Sequence, residues 1–158
     1  MHSFKDNAGN SWDVEITIGS VKRVRSLLDV DLLNLDSGDP PLLTRLGEIE
    51  LLCDVIFALL KPQADERNIT DEEWAAGMGG EAILSAQGAF YAELADFFLG
   101  LGQKHLATAV TTQKRMVEAA VEAAEARLAE VDVEKTVGEI FGTQSTGSPG
   151  SPGSTPTG

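Results

Sequence analysis

The sequence predicts a mainly α protein of the α+β class: a short N-terminal β-hairpin packed on an α-helical bundle, then a long C-terminal helix and a disordered tail. Three observations carry this. Apolar and polar residues alternate near the N-terminus, apolar residues recur at helical spacing through most of the chain, and the end is an uncharged run of Gly, Ser, Pro and Thr. The 158 residues suffice for one domain that buries about two-thirds of its unfolded surface. That domain is placed at residues 1–141, with a tail or linker at 142–158.

The hairpin comes first. Phe4-Lys5 and Trp12 to Ile18 flank Asp6-Asn7-Ala8-Gly9-Asn10, whose Gly and Asn accept the positive φ of a tight turn. In the second arm Trp12, Val14, Ile16 and Ile18 alternate with Asp13, Glu15 and Thr17, as in a strand buried on one face. A lone hairpin is marginal in water, so its apolar face needs helices to pack on. Ser20 is expected to cap a short helix that has Val21, Val24, Leu27 and Leu28 on one face and Lys22, Arg23 and Arg25 around it. Asp29 to Pro41 reads as a loop, with Pro40 or Pro41 opening the next helix.

From Leu42 to Leu60, the stripe Ile49, Leu52, Cys53, Ile56, Phe57 and Leu60 predicts a helix that Pro62 ends. Thr70-Asp71-Glu72-Glu73 is a capping box for a short helix that turns Trp74 inward, and Gly77, Gly79 and Gly80 break it. Glu81 to Leu101 carries a second stripe through Ile83, Phe90, Leu94, Phe97, Phe98 and Leu101, stopped near Gly100 and Gly102. Gln103 to Val131 is a long helix with a thin seam of Leu106, Val110, Val117, Ala120, Ala124, Leu128 and Val131. Val133 to Phe141 either extends it or forms a separate turn of helix. After Gly142, the chain has neither charge nor large apolar side chains and cannot offset the entropy of ordering.

Charge and composition narrow the function. The net charge of −13 repels phosphate backbones and anionic lipid, which argues against nucleic acid and membrane surfaces as partners. No run approaches a membrane span, and the first residues lack the apolar core of a signal peptide, so a soluble, cytoplasmic protein is expected. A single cysteine, Cys53, excludes an internal disulfide, and mid-stripe it reads as a small core hydrophobe. His2 reads as part of a frayed terminus. His105 has neither a histidine at i+4 nor a glutamate at i−3, so it fits no zinc or di-iron helix pattern and reads as a surface residue.

Other clusters favour plain readings. Asp29, Asp31, Asp36 and Asp39 offer oxygens for a hard cation, yet Leu33 and Asn34 stand where a calcium loop needs a ligand and a glycine, so turn formation is preferred. Glu118, Glu122 and Glu125 share a helical face and read as a solvated stripe. The glycines at 77, 79 and 80 lack the strand and the Lys-Ser/Thr of a phosphate loop. The sequence thus points to no catalytic residue, no metal and no cofactor, hence to a non-enzyme.

Candidate partner-binding residues remain: the basic cluster Lys22, Arg23 and Arg25, the apolar Phe90, Leu94, Phe97 and Phe98, and the seam residues Leu106, Val110, Val117 and Leu128. Such faces suit helix-in-groove contact, while like charge keeps the complex soluble. Some of them are expected to be exposed in the isolated subunit and covered by copies of itself, as a homo-oligomer, or by a client.

Phe4-Lys5-Asp6-Asn7-Ala8-Gly9, then Trp12-Asp13-Val14-Glu15-Ile16-Thr17-Ile18, Val21-Lys22-Arg23-Val24-Arg25 and the pair Phe97-Phe98 together resemble the tail assembly chaperones of long-tailed bacteriophages and prophages. The resemblance spans residues 4 to 100 and includes no catalytic motif. It implies a non-structural protein of the host cytoplasm that binds the tape-measure protein, keeps it soluble, recruits tail-tube subunits and is absent from the finished particle. It also implies a place for a frameshift junction within 143–158. A phage connector or other structural component, or an acidic helical adaptor, is the alternative; an enzyme built on the aspartate loop and a metal stands behind both.

Overall fold

The computed structural model describes the backbone of residues 1–147 and the side chains of residues 1–131. One carboxylate organises its first turn. Strands β1 (His2–Lys5) and β2 (Ser11–Val14) pair antiparallel, with Phe4 opposite Trp12 and His2 opposite Val14. Between them Asp6 Oδ1 accepts from the backbone N–H groups of Ala8 and Asn10, and Oδ2 accepts from Asn10 Nδ2 and from Trp12 Nε1 at 2.9 Å. Gly9, at φ 88°, supplies the left-handed step that the turn requires. Phe4, Trp12, Val14 and Ile16 are buried as the alternation predicts.

Ile18 departs from that pattern. It opens helix α1 (Ile18–Leu28) and is 51% exposed, because Thr17 caps the helix instead of Ser20. The Thr17 hydroxyl accepts from Ser20 N, and Ser20 Oγ accepts from Thr17 N. Asp29, left-handed at φ 56°, closes α1. The loop that follows is anchored by Val30, Leu32 and Leu35, all buried, while Asp31 Oδ1 accepts from Leu33 N.

The helix expected over 42–60 is two helices, α2 (Leu42–Arg45) and α3 (Ile49–Glu66). At the break, the buried Tyr91 hydroxyl donates to the Leu46 carbonyl at 3.2 Å. Pro62 does not end α3, which continues through it to Glu66. The proline has no N–H for the Ala58 carbonyl. Arg23 Nη1 takes that place, donating to Ala58 O at 3.1 Å and Leu59 O at 3.2 Å. The last turns of α3 also hold the hairpin: Gln63 accepts from Asp13 N and donates to Asp13 O, and Arg67 donates to Ser11 O. The Arg67 guanidinium lies 4.4 Å from the centroid of the Trp12 ring.

Helix α4 (Asp71–Ala76) starts with the expected box between Thr70 and Glu73, and Trp74 is buried against Phe57, ring centroids 5.3 Å apart. Helix α5 (Glu81–Gly100) is the central element, with Ala86, Phe90, Tyr91, Leu94 and Phe98 fully buried. Helix α6 (Lys104–Gly147) runs as one helix through Val133–Phe141 and past Gly142, where the tail is expected to begin. Residues 148–158, the rest of that tail, lie outside the described residues.

The chain separates into two units, Met1–Val117 and Glu118–Gly158. The first holds the hairpin, α1 to α5, the start of α6 and a continuous core from Phe4 to Val110. In the second, Glu118, Glu122 and Glu125 are exposed, and so are Leu128 and Val131.

Candidate functional site

A concavity of 760 Å³ lies in the first unit, between the end of α1, the second half of α3 and the segment leading into α4. Each segment contributes for a local reason. Leu27 and Leu28 fall on the last turn of α1, Phe57, Ala58 and Lys61 follow one another on a face of α3, and Ile69 is brought round by the left-handed Asn68 at φ 55°. Leu27 is 51% exposed; Leu28, Phe57 and Ile69 are half-buried with their inner faces on the core.

The rim is acidic. Asp54, Asp65 and Asp71 border the groove together with Lys61, whose ammonium is 2.9 Å from Asp65 Oδ1. Burial pushes the Asp54 carboxyl above its ordinary pKa, and the like charges of Asp71 and Glu50 push it further the same way. Burial, then Asp54, likewise raises the Cys53 thiol, so this half-buried cysteine is held protonated. An apolar floor with carboxylates above it suits an amphipathic ligand.

The residues singled out from sequence have several fates. Of the basic cluster, Lys22 and Arg25 are exposed, whereas Arg23 is half-buried and spends its guanidinium on the α3 carbonyls. Phe90, Leu94, Phe98 and Val110 are fully buried, so they build the core and present no docking face. A helical stripe marks an apolar face without saying whether the rest of the chain covers it. Phe97, Leu106 and Val117 are half-buried against the core, and Leu128 is 63% exposed. No sequence pattern picks out the groove, because its floor is gathered from three segments; the weak signal is Leu27, placed beyond the buried Val21–Val24 face of α1.

His2 is no frayed end. Its Nδ1 lies 2.9 Å from Glu93 Oε2 and its Nε2 3.9 Å from Asp96 Oδ2, which ties β1 to α5. Ligand-type atoms of His2, Glu93 and Asp96 lie within 4.8 Å of one another, a spacing that admits a metal ion. Within the group the His2–Glu93 contact is the one at hydrogen-bond distance, and Asp96 is exposed. As it stands the group is a hydrogen-bonded clasp. Asp29 caps α1 and Asp31 serves its own turn, as the turn reading expects.

Among the described residues no helix is long and apolar enough to cross a membrane. No family model, no curated protein and no solved structure matches the chain.

Proposed function

We propose that this chain is a non-catalytic assembly chaperone that holds an amphipathic segment of a client protein in the groove between α1, α3 and the start of α4. The observation that carries the reading is the open apolar floor: Leu27, Leu28, Phe57 and Ile69 face a cavity that no side chain of the described residues fills. Partly exposed apolar groups gathered under a polar rim are the anatomy of a protein-binding site. The particular form suggested by the sequence resemblance is a phage tail assembly chaperone, acting in the host cytoplasm, with the tape-measure protein as client and tail-tube subunits as further partners. The net charge of −13 suits such a role, since it keeps a complex with a long apolar helix in solution.

Co-expression with a tape-measure protein from the same gene neighbourhood tests this. The client should be soluble and bound when the chain is present and should aggregate when it is absent. Leu27→Asp should abolish the association while leaving thermal unfolding unchanged. A client whose solubility and association are indifferent to Leu27→Asp would overturn the reading.

A further inference from the structure

The groove's rim says more about its occupant than its floor does. Lys61 is the basic group lining it, and its ammonium is already engaged by Asp65. Asp54 and Asp71 are left on the rim with no cation beside them among the described residues, and Glu50 adds a further negative charge close to Asp54. Like charges brought together over an apolar floor are held at a cost that an incoming cation relieves.

Resting on the function proposed above, we infer that the groove takes a basic amphipathic helix, its apolar side chains on Leu27, Leu28, Phe57 and Ile69 and its lysines or arginines on Asp54 and Asp71. The chain's own last residues do not suit the place: 143–158 contain no charged and no large apolar side chain. A second copy suits it poorly as well, because each copy carries a net charge of −13 and brings mainly more carboxylates. A basic segment is drawn in by the whole field and set in register by the two aspartates, while the leucines and Phe57 supply the apolar contact.

Fluorescence anisotropy on the full chain reads this directly with three labelled helical peptides: a leucine–lysine amphipathic helix, its leucine–glutamate counterpart, and a scrambled leucine–lysine peptide without an apolar face. The amphipathic basic peptide should bind, and the other two should bind at least about tenfold more weakly, the scale of one lost charged or apolar anchor. Asp54→Asn with Asp71→Asn should weaken it by a similar factor while the thermal unfolding midpoint does not fall. Equal binding of the acidic amphipathic helix overturns the inference and leaves the groove as a client site. Equal binding of the scrambled peptide, or no effect of the double substitution, overturns it as unspecific attraction. If client association is also indifferent to Leu27→Asp, the chaperone reading falls too.

Discussion

Arg23 supplies the hydrogen bond that Pro62 denies to its own helix. The guanidinium crosses from α1 to donate to Ala58 O at 3.1 Å, the carbonyl that residue 62 would otherwise bind. A proline inside a helix costs about 3 kcal/mol, in part through the acceptor it orphans; here an external donor restores that acceptor and joins two helices at the same point.

Arg23→Ala is therefore expected to destabilise the protein by about 1–3 kcal/mol, the cost of a buried carbonyl left without a donor. In a Pro62→Ala background the alanine N–H serves Ala58, and the same substitution should cost less. Urea unfolding of the four proteins closes the cycle; strictly additive effects would mean that the two residues do not act on one carbonyl.

Asp6 predicts an acid limit for the hairpin. Burial alone raises its pKa, but the hydrogen bonds from Trp12, Asn10 and Ala8 outweigh that and hold it below the ordinary 3.8. A carboxyl depressed in the folded state contributes stability that is fully present above its unfolded pKa and lost as pH falls through the folded one. Thermal unfolding followed from neutral pH to below about pH 4 should show that loss, and Asp6→Asn should be less stable at neutral pH with a flatter acid limb. An unchanged limb would contradict it.

Tyr91→Phe is expected to cost about 1–3 kcal/mol, because the Leu46 carbonyl at the α2–α3 break loses its buried donor. Burial raises the Tyr91 phenol above its ordinary pKa, with the Gln113 hydrogen bond partly opposing it. Native alkaline titration by absorbance should accordingly find Tyr91 less than half ionised at pH 10.0, its ordinary pKa. Half-ionisation at that value while the fold stays intact would refute the assignment.

Cys53 is expected to react slowly with a thiol-specific disulfide reagent at neutral pH and rapidly once the protein is unfolded in urea. Burial and Asp54 both disfavour its thiolate. Asp54→Asn should quicken the native reaction modestly, and a native rate equal to the unfolded one would exclude the protected setting.

What the sequence discloses is whatever a short window contains. Thr70 and Glu73 specify a cap within four residues, and Trp12 and Val14 alternate in β2 with Ile16 continuing the pattern just past its end, so those elements are legible. The continuation of α3 through Pro62 is not, because its compensating donor sits on another helix at Arg23. The same limit applies to the site. Phe90, Leu94 and Phe98 look like a surface until the hairpin, α3 and their neighbours cover them, whereas Leu27, Leu28, Phe57 and Ile69 become a groove only after three segments meet.

The hold of α3 on β2 has a consequence for self-association. Two-stranded sheets have open edges on which a foreign strand can add, the usual first step toward amyloid-like stacking. On β2 the outward backbone groups Asp13 N, Asp13 O and Ser11 O are all taken by the side chains of Gln63 and Arg67. A side-chain amide thus stands in for the next strand, and the hairpin is blunted along that edge by the same contacts that fasten it to the helices.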